Sequence, residues 1–367
     1  MVKVPKYFTY VPGPVGGAQN NGCVDWDRLR LYAFAEDFYS YDIGSQNQLN
    51  HGGSFTNINL TQAWNTLDVG RLDGRIYTGT TNGANLFIGY NAATGVTERS
   101  YNDVAAALAP VGNMRMGVGG GANVAVGAGL NSGQGTPGHS APIFAVNMDT
   151  LTQMGPAVTV PETNTSIAPG NVFLGRGPAG MVCATALGIN GGVAGTVGIY
   201  TIALTASAFT VTRCGGHVAA DFGFAGTLNF VGYPTVDQTD GHIIACVQST
   251  SGSIALCKFS SVDGHIVWQR TVGILINLAS CRVVNGFIHG VYSTTGYLTW
   301  NTITNTQVLD TISPAIIGAT SQWFSDDVST ADVVNVDNNG GHNPQWGTFG
   351  LPPAPMTIGG GILRRRS

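Results

Sequence analysis

Charge is what this chain has least of. Charged residues fill 10% of its 367 positions, against roughly 25% in an average globular protein. Lysine occurs only at Lys3, Lys6 and Lys258, and 16 basic residues stand against 20 acidic ones. A nucleic-acid partner calls for a basic face, so this balance argues against one. The six cysteines (Cys23, Cys183, Cys214, Cys246, Cys257, Cys281) lie far apart with no C-x-x-C pair, which sets aside zinc and thioredoxin-like chemistry. Buried free thiols are the expectation, although Cys246 and Cys257 are spaced to face each other across one hairpin. None of the seven histidines forms an H-x-x-x-H or H-E-x-x-H pair, and calcium loops of the Asp-x-Asp-x-Asp-Gly type are absent. No metal and no cofactor is therefore expected. No window approaches the ~18 apolar residues of a membrane span, and Met1–Tyr10 carries no secretory h-region. Synthesis in a reducing compartment follows as an expectation.

Glycine, by contrast, is abundant, with 53 copies. Gly, Asn, Thr and Ser between short apolar runs fit an all-β chain with many tight turns. One phrase recurs: an apolar strand, then Asp or Asn, then turn residues, then another strand. It reads Phe38-Tyr-Ser-Tyr-Asp42, Phe87-Ile-Gly-Tyr-Asn91-Ala-Ala-Thr-Gly and Ile143-Phe-Ala-Val-Asn147. Fainter copies end at Ala203, Lys258, Asn301 and Asp337. The steps between these positions run from 36 to 56 residues, bracketing the ~40–50 of propeller repeats. The expected fold is an all-β propeller, with seven blades of four antiparallel strands and with six or eight blades left open. A second strand precedes several copies, as in Asp73-Gly74-Arg-Ile-Tyr-Thr and Asp240-Gly241-His-Ile-Ile. These Asp-Gly pairs predict type I′ hairpins. The glycine run over residues 117–129 suits inner strands, where close blade packing leaves no room for side chains.

Arg75-Ile-Tyr-Thr-Gly followed by Phe87-Ile-Gly-Tyr-Asn91-Ala-Ala-Thr-Gly resembles a Kelch strand pair, and Ser261-Val-Asp-Gly-His-Ile-Val-Trp268 resembles the end of a PQQ-type propeller repeat. The Kelch double glycine is missing from nearly every copy. The resemblance implies the propeller architecture and carries no activity with it. Residues 1–350 are read as one propeller domain, and 351–367 as an extended, proline-containing tail ending in an Arg cluster. Either Tyr7–Val11 or the rival segment Pro344–Phe349 supplies the outer strand of the last blade.

Candidate chemistry is sparse. His242 and His265 follow glycines in Asp-Gly-His-Ile phrases and belong to turns. The G-x-G-like runs lack the following helix a dinucleotide site needs, and no Gly-x-Ser-x-Gly sits in an elbow context. Asp25, Asp27, Glu36 and Asp37 cluster in the first blade, mostly in turns, so no catalytic residue is assigned. The long loop after Gly129 offers Asn131, Gln134 and His139 as binding residues, because loops on rigid scaffolds carry function. Trp64, Trp323 and Trp346 join them as aromatic faces on which a sugar ring could stack, structural wedging being their alternative use.

Two functions fit these residues. The first is a non-enzymatic structural or interaction propeller, with a composition similar to tailed-phage tail and capsid-associated proteins. Its partners would be other virion proteins or a host-surface glycan within a larger assembly, and its location the virion. The second is a carbohydrate-binding propeller or polysaccharide-cleaving enzyme.

Overall fold

The computed structural model describes residues 4–10, 21–25, 27–28, 30–34, 38–42, 48–52, 67–79, 85–102, 111–129, 142–163, 171–188, 194–273, 278, 283, 287–291, 296–311, 323–324, 333–339, 342–350, 357–358 and 361–362. Among them the strands form seven sheets of three to five strands and one two-stranded ladder. Sheet 1 runs Asn21–Asp25, Arg30–Phe34, Phe38–Asp42, Gln48–Gly52, and sheet 2 runs Leu67–Val69, Ile76–Gly79, Asn85–Tyr90, Thr97–Asn102. Sheet 3 runs Val111–Gly119, Ala122–Gly129, Ile143–Asn147, Thr152–Gln153, and sheet 4 runs Asn171–Arg176, Val182–Leu187, Thr196–Leu204, Phe209–Val218. Sheet 5 leads with Leu228–Val231 and Thr235–Val236, both paired to Ile243–Ser249, and continues through Ile254–Phe259 to Ile266–Val272. Sheet 6 comprises Phe287–Val291, Gly296–Asn301 and Thr306–Thr311. Every pairing within the sheets is antiparallel.

Sheet 7 is built from both ends of the sequence, in the order Trp323–Phe324, Val333–Asn339, His342–Gly350, Val4–Tyr10. The two segments expected to compete for its outer edge are both used. His342–Gly350 is the third strand, and Val4–Tyr10 pairs outside it, with Thr9 opposite Trp346. Val333–Asn339 is consequently the second strand, so the seventh copy of the phrase occupies a different strand from the first five. Within the proline-containing tail, Thr357–Ile358 pairs with Gly361–Ile362.

The core lies between sheets. One apolar cluster joins sheets 1 and 2 around Cys23, Tyr32 and Ile76, and another joins sheets 2 and 3 around Phe87, Met114 and Phe144. Val126, Leu174 and Val182 lie in the cluster joining sheets 3 and 4, and Ile199, Val231 and Phe259 in the one joining sheets 4 and 5. Between sheets 5 and 6, Trp268 stacks on the fully buried Trp300 at 5.6 Å. Sheets 3 and 4 pack against neighbours on both faces, so their middle strands are buried on both sides. Val182–Leu187 and Ile143–Asn147 are buried at every position, whereas the outer strand Thr97–Asn102 is exposed or half-buried. The glycine run falls on the first two strands of sheet 3. A Cβ on Gly127 would stand 2.6 Å from the Phe144 ring and 2.8 Å from that of Phe87, so close packing does account for glycine there.

The recurring phrase is a repeated turn. At the strand end that enters this turn, one side-chain oxygen accepts hydrogen bonds from the amides two and three residues on. Asn91, Asn147 and Asn301 do this, and so do Thr205 and Ser260. These last two caps lie two residues beyond Ala203 and Lys258, where the faint fourth and fifth copies were placed. Four residues after the cap the chain enters the left-handed region at Gly95 (φ 70°), Leu151 (55°), Gly264 (74°) and Asn305 (52°). The same geometry closes two first-to-second-strand turns, where the amides of Gly74 and Gly241 bond back to the carbonyls of Gly70 and Asp237. Type I′ turns need positive φ at both central residues. At Asp73-Gly74 and Asp240-Gly241 only the glycine has it, so the Asp-Gly pairs close longer turns than the sequence predicts. Asn285-Gly286, which precedes Phe287–Val291 and is a further pair of this kind in the sequence, lies outside the described residues.

Candidate functional site

In a four-stranded meander the first-to-second and third-to-outer turns share one end of the sheet, and the second-to-third connection lies at the other. Neighbouring sheets bring their turn ends together. Arg28 Nη2 donates to the Arg71 carbonyl at 3.3 Å, the Leu72 amide to Asn123 Oδ1 at 3.2 Å, and Asn147 Nδ2 to the Ala206 carbonyl at 3.0 Å. Trp268 Nε1 reaches the Thr302 carbonyl at 2.7 Å. These contacts tie the turn ends of sheets 1 to 4, and those of sheets 5 and 6, to one another.

A cleft of ≈ 490 Å³ opens at this end between sheets 1 and 2. Sheet 1 contributes Arg28, Arg30 and Tyr32 from its first turn and second strand. Sheet 2 contributes Asp73, Gly74 and Arg75, the Asn91–Ala93 turn, and Glu98. Its polar groups are held before any ligand arrives. Asp25 Oδ1 accepts the Asp27 and Arg28 amides at 3.1 Å, and its Oδ2 takes the Arg28 guanidinium at 2.9 Å. Arg75 bridges Asp73 at 2.7 Å and Glu98, and Asn91 Nδ2 donates to Glu98 at 2.9 Å. Burial opposes the Arg28 charge, but hydrogen bonding to Asp25 outweighs this and holds the guanidinium above its usual range. Hydrogen bonds from Asn91 and Arg75 keep Glu98 below the ordinary carboxylate range, while burial raises the Tyr32 phenol and keeps it a hydrogen-bond donor. Gly74 (φ 69°) is required here twice over: by its left-handed backbone, and because a Cβ would stand 2.8 Å from Arg28 Nε.

The same end carries apolar tips. Of the eight exposed large hydrophobic residues among the described ones, six sit on its turns: Leu72, Val96, Leu151, Met181, Val262 and Ile303. Val262 is 85% exposed and Ile303 62%. Scattered apolar residues are ordinary on a protein surface, but these recur on the turns of five successive sheets, 2 to 6.

The buried charges cross-link sheets. Asp68 accepts from the Met116 amide at 2.8 Å and from Arg176 Nε at 3.0 Å, joining sheets 2, 3 and 4. Asn113 copies a strand edge, taking the Leu174 amide at 2.9 Å and donating to the Val172 carbonyl at 2.5 Å. Glu162 holds Arg213 at 2.8 Å and also accepts the Tyr200 hydroxyl. Arg115 lies 5.8 Å from the Tyr233 ring centre, and burial lowers its guanidinium to about 10. Burial likewise pushes the Cys23 thiol up to about 12, as suits an inert core thiol.

Of the residues expected to bind, only Trp323 and Trp346 are among the described ones. Asn131, Gln134, His139 and Trp64 lie outside the described residues, as do Glu36 and Asp37. The flanking strands put Gly129 and Pro142 at the end opposite the cleft. Trp323 and Trp346 stand on the first and third strands of sheet 7, opposite Asn335 and Val336. His242 and His265 follow their turns, and His265 Nδ1 lies 2.6 Å from Asp263. The five described cysteines are free, and Cys246 faces Leu256 rather than Cys257. The cleft was missed because its walls come from four separated segments. Asp73-Gly74-Arg75 and Asn91-Ala92-Ala93 are visible in the sequence, but as turns rather than as walls of one cleft. No helix among the described residues is long and apolar enough to cross a membrane.

Consecutive antiparallel sheets, each packed face to face on the next and sheet 7 built from both chain ends, define a β-propeller. The solved structure titled "Structure of Dos1 propeller" is similar to this chain, with a TM-score of 0.53 and 12% identity, over 88% of this chain and 76% of that one. At that identity the likeness concerns the fold. No protein-family description matches the sequence, and no curated protein matches it either.

Proposed function

We propose that the chain is a non-catalytic interaction propeller of seven blades, one per sheet, that docks a protein partner on its turn end. The observation carrying this reading is the collection of exposed apolar side chains on those turns. The partner's matching surface is aliphatic and weakly charged, since the charges at this end are already paired internally. Arg28 is held by Asp25, Arg71 by Asp27, Arg75 by Asp73 and Glu98, and Lys258 by Asp240. A non-catalytic role fits the structural duty of Asp25, Asp73, Asp237 and Glu98, which cap turns or join strands. The setting we propose is a larger assembly, a tailed-phage particle, for which the support is composition alone: few charges with many Gly, Asn and Thr residues.

The test compares the wild type with a variant carrying Leu72→Ser, Val262→Ser and Ile303→Ser. Cross-linking mass spectrometry on the assembly purified from the source organism is expected to map partner contacts to the turn end. The variant should lose them while its thermal unfolding stays unchanged. Contacts confined to the opposite end, or retained by the variant, refute the docking face, and absence from purified particles refutes the virion setting.

A further inference from the structure

We infer that the cleft between sheets 1 and 2 is a binding site for an uncharged saccharide. This inference rests on the reading of the turn end as the binding end, and it adds a ligand class to that end. The volume of ≈ 490 Å³ falls within the ~300–1,000 Å³ of small-ligand pockets. Its wall chemistry selects the ligand. Arg28, Arg30 and Arg75 present guanidinium donors, while Asp73 and Glu98 present carboxylate acceptors on the same walls. Including the adjoining Asp25, Asp27 and Arg71, this sector holds four arginines and four carboxylates, and so no net charge.

A simple anion drawn to the guanidiniums meets the carboxylates, and a simple cation meets the reverse. A hydroxyl satisfies both, since it donates to a carboxylate oxygen and accepts from a guanidinium. Vicinal hydroxyls repeat that pattern at the spacing of neighbouring charged groups, and the sugar is the ligand class that carries them. The groups are also fixed in advance. Arg75 is clamped between Asp73 and Glu98, and Glu98 is held by Asn91, so binding orders few side chains and loses little entropy. Between these groups Gly74, Ala92 and Ala93 leave a small-residue wall against which a ring can lie.

Ligand-detected saturation-transfer NMR tests this on the full chain. The probes are methyl glycosides of glucose, galactose, mannose and N-acetylglucosamine, lactose, and glucuronate as the charged counterpart. At least one neutral glycoside is expected to receive saturation, with glucuronate binding about tenfold more weakly. Ala93→Trp fills the cleft from an exposed turn position and should abolish the signal. Glu98→Gln leaves a surplus guanidinium and should shift preference toward glucuronate by a similar factor. Circular dichroism melts confirm that both variants fold. No transfer to any neutral probe, transfer undiminished in Ala93→Trp, or glucuronate binding as tightly as the neutral sugars in the wild type overturns the inference. The variant carrying Leu72→Ser, Val262→Ser and Ile303→Ser separates the two readings. If no sugar binds yet this variant still loses its protein contacts, only the saccharide site falls.

Discussion

Lys258 shows what a single residue contributes. It is 2% exposed, with Nζ 2.9 Å from Asp237 and 2.5 Å from Asp240, and Asp237 accepts a further 2.5 Å bond from Thr302 of the next sheet. A lysine at a strand end reads in sequence as a solvent-facing position. Nothing local reveals that sheet 6 packs over it, so this network was not legible. Removing one partner of a buried ion pair leaves the other charge uncompensated, at a cost of roughly 3–5 kcal/mol. Lys258→Met is therefore expected to lose about that much in urea denaturation, and adding Asp237→Asn should recover part of it. The acid limb gives an independent check. Burial opposes ionisation of Asp237, but the bonds from Thr302 and Lys258 outweigh it and set its folded value below the ordinary one. Its stabilisation is thus complete above the unfolded aspartate value of about 3.9 and disappears as pH falls through the lower folded value. Unfolding measured from pH 6 down to pH 2 should show a shallower loss in Asp237→Asn than in the wild type. Equal slopes would contradict the network.

At the scale of the element, the cap-and-glycine turn explains why the repeat was readable at all. Asn91, Asn147 and Asn301 stand at the end of their strands because their side chains supply the acceptor that two turn amides lack. Thr205 and Ser260 serve the same purpose with a hydroxyl, which is why the fourth and fifth copies looked degenerate. The turn needs an acceptor, which several residue types supply, and in four of the five cases a left-handed residue follows. Leu151 meets the second requirement at a cost, since it adopts φ 55° with a branched side chain. An L-residue there loses about 1–2 kcal/mol relative to the right-handed region, and glycine relieves most of it at some entropic cost. Leu151→Gly is expected to raise stability by roughly 0.5–1 kcal/mol in equilibrium denaturation. Asn91→Ala should lower it by about 1 kcal/mol through the lost acceptor. A destabilised Leu151→Gly protein would show that contacts of the leucine outweigh the strain. The cleft shares this origin, for two of its walls are such turns, yet its charge pattern exists only once sheets 1 and 2 meet.

For the whole molecule the decisive pairing is the most distant in sequence. Val4–Tyr10 lies along His342–Gly350 and becomes the outer strand of sheet 7. The sequence offered two candidates for that edge, and local pattern had no means of revealing that the sheet takes both as successive strands. Without Val4–Tyr10 the His342–Gly350 strand presents a free row of amides and carbonyls, which invites pairing with another chain. The same deletion removes the only pairing among the described residues that links the two ends of the chain, so sheet 7 is held to the described structure by its contacts with sheet 6. Loss of the pairing acts on folding cooperativity as well as on stability, because closing so long a loop is a cost already met in the native ring. Removal of residues 1–10 is expected to lower the unfolding midpoint by several degrees, since about 1 kcal/mol already shifts a domain by ~2–4 °C. It should also increase light scattering at concentrations where the intact chain stays monodisperse. Hydrogen exchange gives the finer reading. Amides of Val333–Asn339 and His342–Gly350 should lose protection first, while those of Val182–Leu187 and Ile243–Ser249, buried between complete sheets, keep theirs. Uniform loss of protection across all sheets would mean that the ring unfolds as one unit and that its closure sets the stability of every blade.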